Sequence, residues 1–158
     1  MALNGAALTL LGGRRGPTVP AYKYYRIRCL SFSANYWWRV REFELYPESG
    51  LAGTKLIGTA SASSQKSTSE IPARAVDGNL ETYWGARTSR AANVDQWFQI
   101  TLPKAAIVLS ARFSVYSGPG HHANLIAWEG SEDGINWIVL DEQPGTSTNR
   151  AWVNFERR

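Results

Sequence analysis

Alternation of apolar and polar positions dominates the chain from Tyr22 onward. Tyr25, Ile27 and Cys29 alternate with Arg26 and Arg28, the period of two that sends successive side chains to opposite faces of a strand. Residues 39–46 repeat it, with Phe43 and Leu45 on one face and Glu42 and Glu44 on the other. Between these strands, Asn35-Tyr36-Trp37-Trp38 reads as an aromatic hairpin tip. Phe98, Ile100 and Leu102 mark a strand over residues 96–102. Ile107, Leu109, Ala111, Phe113 and Val115 form one long strand, closed by the breakers Ser117-Gly118-Pro119-Gly120. Short strands follow at 125–129, 135–140 and 152–156, with Asp133-Gly134 turning the chain between the first two. Residues 47–53 are turn-rich, 61–69 read as loop and edge strand, and only 72–76 predicts a helical turn. Many short strands joined by Gly, Pro and Asn turns predict an all-β fold, a sandwich or jelly roll of about eight strands.

Composition narrows this picture. A chain of 158 residues, 44% hydrophobic and 19% charged, forms most simply one globular domain with a substantial core. No apolar run approaches the roughly 20 residues that span a bilayer. The apolar start, residues 1–11, has Arg14 and Arg15 after it and no basic residue before it, the reverse of a cleaved signal peptide. Cys29 is alone, so no disulfide within the chain is expected. The formal charge of +4 is spread out, with no basic run or zinc-finger spacing, so no specific nucleic-acid partner is expected. Residues 1–20, rich in Gly and Pro, read as an arm or linker, and 21–158 as the folded domain.

The densest chemistry lies in residues 73–84. Asp77-Gly78-Asn79 is a tight-turn signal, and Asp77 and Thr82 offer oxygens that a hard cation could collect with carbonyls exposed by the turn. The run is built around either a metal ion or a knot of hydrogen bonds. Catalysis is not expected. There is no nucleophile elbow, zinc-protease motif, P-loop or dinucleotide fingerprint. Cys29 sits mid-strand, where a thiol is buried and inert. His121 and His122 follow a Gly-Pro-Gly turn and read as exposed loop residues or ligand contacts. The pairs Glu132/Asp133 and Asp141/Glu142 are adjacent in sequence and therefore splay apart.

Three segments occur in order: Ala75-Val76-Asp77-Gly78-Asn79-x-x-Thr82-x-Trp84, then Gln96-Trp97-Phe98-x-Ile100-x-Leu102, then Ser131-Glu132-Asp133-Gly134-x-Asn136-Trp137. Over residues 22–158 they resemble the discoidin domain, also known as the coagulation factor 5/8 C-terminal domain. That family overlaps the family 32 carbohydrate-binding modules and has a galactose-binding-like jelly roll. In the usual arrangement, strands similar to Tyr24–Arg28 and Arg41–Tyr46 close the domain, whereas here they open it. The resemblance thus implies either a circular permutation or a fragment cut across two tandem repeats. Permuted arrangements resemble discoidin-like modules of phage virion and tail proteins.

The resemblance implies a structural calcium ion. Its shell would be the Arg74 carbonyl, the Asp77 carboxylate, the Asn79 carbonyl, the Thr82 oxygens, Glu42 and the carbonyl of Arg41. It also implies a glycan site on loops at one end of the sandwich. Tyr36 and Trp37 match the stacking aromatic, His121, His122 and Asn124 match a contact loop, and Arg87 and Arg90 follow Trp84. Two departures weaken a galactose-type site: Gly85 replaces a His common in sugar binders, and no Arg follows Tyr116. Trp37 and Trp38 are alternatively core or interface residues. The implied role is a non-catalytic module on a phage virion or tail, binding a cell-surface glycan and aiding host attachment. The alternative is a structural virion protein, with residues 1–20 contacting other virion proteins and the scaffold a homo-oligomer or part of a larger assembly. Lipid binding ranks behind both.

Overall fold

The computed structural model describes residues 18–32, 37–87, 95–116 and 121–158. Nine strands form two antiparallel sheets: β1 (Tyr22–Phe32), β2 (Arg39–Tyr46), β3 (Thr59–Ala62), β4 (Trp84–Gly85), β5 (Trp97–Ala106), β6 (Ser110–Val115), β7 (Ala123–Ser131), β8 (Ile138–Pro144) and β9 (Trp152–Glu156). One sheet has the order β3-β5-β1-β7-β8, the other β4-β2-β6-β9. This is the β-sandwich that the alternation predicts. Among the described residues the only helical pieces are two 3-10 turns, Ser49–Leu51 and Pro72–Ala75.

The inward residues of both sheets meet in one core. Tyr25, Ile27, Phe98, Ile100, Ile126 and Trp128 come from the first sheet, and Val40, Phe43, Leu45, Phe113 and Phe155 from the second. Trp84 joins the layers, with its ring 5.7 Å from Trp38 and 5.4 Å from Phe98. Val40 and Phe43 both face inward although three residues apart. A bulge between Val40 and Glu42 inserts Arg41 and resets the phase of β2.

Three expectations change, and for Trp38 one of the two alternatives holds. β1 and β2 lie in different sheets and do not pair as a hairpin; residues 33–36, part of the expected tip, lie outside those described. Trp38 is core. The long strand expected from Ile107 starts only at Ser110, because the chain there passes from one sheet to the other and leaves Ile107 exposed. β8 begins at Ile138, not Ile135, since Asp133 holds a wider turn through the Ile135 and Asn136 N–H groups, each at 2.8 Å. The outer face of β2 is buried as well as the inner one. Glu44 is held there by Tyr46, Arg112 and Lys55, and Glu42 by the loop that follows the second 3-10 turn.

The register gives the sandwich two distinct ends. At one, Arg157 donates to the Pro20 carbonyl at 2.7 Å, and Val19, Ile57, Ile107, Ile135 and Ile138 are exposed. The other collects Trp37, Lys66, Arg87, Tyr116, His121 and Asn149 from the links between strands.

Candidate functional site

The 3-10 turn Pro72–Ala75 is started by Pro72, whose fixed φ suits a first helical position. The chain then reverses at Gly78, whose φ of +77° a residue with a Cβ would adopt only with strain. This brings the Arg74 carbonyl, both Asp77 carboxylate oxygens and the Asn79 carbonyl to 2.9–3.1 Å from Thr82 Oγ1. Thr82 has one hydroxyl proton and four acceptors around it, so three contacts are oxygen on oxygen with no hydrogen between. The Asn79 N–H and the Glu81 N–H are already satisfied by Asp77 and by the Asn79 side chain.

Glu42 closes the cluster from β2. It is 1% exposed. Its Oε1 accepts from the Gly78 N–H at 2.9 Å, while the buried Oε2 accepts no hydrogen bond. Burial raises its pKa most and the neighbouring Asp77 carboxylate raises it further, the Gly78 N–H pulling the other way; the carboxyl titrates at about 7. The nearest cation to Asp77 is the Arg74 guanidinium, 3.8 Å away and half exposed. Such a group of oxygens, with two carboxylates and one orphaned buried oxygen, fits a hard divalent cation. It does not fit zinc, for among the described residues no group of three His, Cys, Asp or Glu converges. Of the expected shell, Arg74, Asp77, Asn79, Thr82 and Glu42 stand together. Arg41 occupies the bulge beside Glu42 and is the one β2 residue without a register partner, which frees its backbone; its side chain turns away to Leu80 and Asn149.

The expected ligand residues gather less fully. Trp37 is half-buried and stacks on His121 with ring centroids 6.2 Å apart. His121 Nδ1 lies 3.0 Å from the Trp37 carbonyl oxygen, and the His121 carbonyl accepts from the Arg39 N–H. Burial is the largest cause lowering the His121 pKa, and Arg39 and Lys66 lower it further, so the ring is neutral at pH 7. His122 follows, half-buried rather than exposed. Arg87 is exposed and its N–H donates to Ser64 Oγ at 2.9 Å, which sets it beside the loop carrying Lys66. Asn124 is exposed at the start of β7, with its carbonyl tied to Gly145 on the β8 side. Tyr36 and Arg90 lie outside the described residues.

Around Trp37 the fold assembles residues that carry no sequence signal of their own. The Lys66 ammonium sits 3.9 Å from the centre of the Trp37 ring. Arg39 packs on Tyr83 and Tyr116 and pairs with Glu70 through two hydrogen bonds of 3.1 and 3.3 Å. Arg41 also lies over Tyr116. Spacing could not reveal these partners, because strand β2 and two separate links supply them. Gly85, the departure from the sugar-binding pattern, acquires a reason: a Cβ there would overlap Glu70 Oε2. The Glu70–Arg39 pair occupies the space a larger residue at 85 would need. A shallow cleft of about 270 Å³, lined by Ser69, Glu70, Arg74, Glu81, Thr82 and Tyr83, separates this cluster from the oxygen loop.

No curated protein and no solved structure matches the chain. The family model of the F5/8 type C domain does, over residues 59–157. The matched segment holds the oxygen loop, Trp84 and seven of the nine strands, from β3 to β9. Domains of this family are generally non-catalytic binding modules, in keeping with a site built of aromatic, cationic and cation-seeking groups. A match over well above half of its length, to a β-sandwich with this loop, places the chain in the F5/8 type C, or discoidin, family.

Proposed function

We propose that this domain binds carbohydrate at the Trp37 end of the sandwich, with the neighbouring oxygen loop held by a calcium ion. The observation that carries the reading is the half-buried Trp37–His121 stack, ringed by Lys66, Arg39, Tyr83 and Tyr116. An aromatic face complements the C–H face of a pyranose, and cationic or amide groups at its edge hydrogen-bond to hydroxyls. Calcium has a separate task, to hold Thr82, Asp77 and Glu42 in place and so fix Tyr83. A glycan array on wild type and on Trp37→Ala tests the binding, with Tyr36→Ala and Asn124→Ala as companions. A wild-type protein that retains no glycan removes the reading.

The strand order supports a permuted arrangement. β1 and β2 precede the matched segment yet are interior strands of the two sheets. Pro20 and Arg157 are hydrogen-bonded, so the ends of the described fold already meet. A chain reopened in residues 50–54, with 158 joined to 21 by a short linker, should regain the same fold; its failure to do so counts against the permutation. A virion or tail location, with host attachment as the role, is the further part of this reading. It rests on that arrangement, and the protein's presence in purified particles tests it.

A second reading, the scaffold as a subunit contact in an assembly, is favoured by one observation. Val19, Ile57, Ile107, Ile135 and Ile138 are exposed together at the end opposite Trp37. Sedimentation of wild type against Ile135→Ser/Ile138→Ser separates the two readings, since a single monomeric species in both removes the contact.

A further inference from the structure

We propose that the sugar taken at the Trp37 site is a negatively charged pyranose of the uronic-acid type, a refinement that rests on the carbohydrate reading above. The Trp37 face is not a bare platform. Lys66 Nζ lies 3.9 Å from the ring centre, within the range of a cation–π contact. Its one carboxylate neighbour among the described residues is Glu70, at 4.0 Å, and that carboxylate is already bound by both Arg39 nitrogens. A neutral hexose that stacked on Trp37 would displace the ammonium from the indole and offer it only neutral hydroxyl acceptors in exchange. A ring carrying a carboxylate displaces it and supplies the counter-charge at once, in a charge-assisted hydrogen bond.

The next pair along the same surface repeats the imbalance. Arg41 is 6% exposed, and among the described residues its guanidinium donates to neutral partners, the Leu80 carbonyl and the Asn149 side-chain oxygen. Glu81 is taken by Arg150. The described charges around the aromatic cluster are thus Arg39, Arg41, Lys66, Arg87 and Arg150 against Glu70 and Glu81. A surface so biased draws anions and disfavours cationic ligands. Among the described residues the exposed aliphatics Val19, Ile57, Ile107, Ile135 and Ile138 lie at the other end of the sandwich and Leu30 alone is exposed near this one, too little apolar surface to enter a bilayer. The anion is therefore assigned to a sugar and not to a lipid headgroup.

The experiment compares two probes that differ only at C6, trigalacturonate and galactotriose, by titration calorimetry with the full chain in calcium buffer. Trigalacturonate is expected to bind about tenfold more tightly at low salt, the gain of one partly desolvated charge pair, and to lose that margin as salt rises. Lys66→Gln should remove most of the margin, weakening trigalacturonate far more than galactotriose. Lys66→Arg should keep it, and both variants should melt as wild type does. Equal or tighter binding of galactotriose overturns the charge assignment and leaves the glycan reading standing, as does a margin that Lys66→Gln does not change. If neither sugar binds, the glycan reading itself falls, and with it this proposal. Flotation with vesicles containing phosphatidylserine, in a protein that ignores both sugars, gives the site to lipid.

Discussion

Consider Glu42 with no metal in the oxygen loop. Its carboxyl titrates at about 7 in the fold against an ordinary value of 4.5, a rise caused first by burial and then by Asp77. A raised folded pKa means that protonation favours the fold. The contribution is complete below about pH 4.5 and is lost as pH rises through 7. Each pKa unit is worth about 1.4 kcal/mol, so the loss between pH 5 and pH 8 comes to about 2–3 kcal/mol. In a domain of this size that is about 5–10 °C of melting temperature. His121 works in the opposite sense, since its lowered pKa makes stability rise with pH through the histidine range. The variant Glu42→Gln therefore isolates the effect. The assay is thermal unfolding in chelator at pH 5 and pH 8, for wild type and Glu42→Gln, each repeated in millimolar calcium. Chelated wild type should lose several degrees more than the variant between the two pH values, and calcium should cancel the loss in wild type alone. Equal losses in both proteins, with no response to calcium, would show that Asp77 and burial do not raise the Glu42 pKa and that the two carboxylates hold no cation between them.

Arg39→Ala should destabilise the fold by on the order of 3 kcal/mol, because it leaves the mostly buried Glu70 without its two-point partner, and denaturant unfolding measures this. Trp128→Ala, which removes a fully buried ring between Tyr25 and Phe155, should cost about 3–5 kcal/mol by the same measurement. Gly145→Ala should lower the melting temperature although alanine is small. A Cβ there overlaps the Ala123 carbonyl, and that backbone cannot move without breaking the Gly145 N–H bond to Asn124.

How much of this was legible depended on whether the information was local. β2 and β9 match the expected strands to the residue, because the alternation of Phe43 and Leu45 with Glu42 and Glu44 runs up to Pro47 and Trp152–Glu156 alternates throughout. The oxygen loop was legible for the same reason: Asp77, Gly78, Asn79 and Thr82 meet within six residues. Trp37 was a different case. Nothing in its neighbours announces that Lys66 will cover its ring, since a chance of topology brings the two together from separate links. Ile107 and Ile135 misled for another reason. Both continue an apolar pattern past the point where the backbone turns, and periodicity carries no signal for where a sheet ends. Alternation puts Glu42 and Glu44 on the outer face of β2 but carries no sign that this face is covered, since glutamates usually stay exposed. A bulge, a loop and two cations from elsewhere bury Glu42 and Glu44 instead.

The place of β1 at the centre of its sheet also governs how the chain acquires its shape. Tyr25 has Ile100 on one side and Gly130 on the other, and β2 likewise waits for β6, with Phe43 opposite Phe113. Within this domain the first two strands thus pair only with strands made well after them. About 45–105 residues separate these strands from their partners, an ordering that slows folding and leaves apolar strands bare during synthesis. An arrangement that placed the same two strands at the end would let each dock into a sheet already waiting. Refolding rates of the two chain orders, compared at equal stability, would measure what this order costs in time.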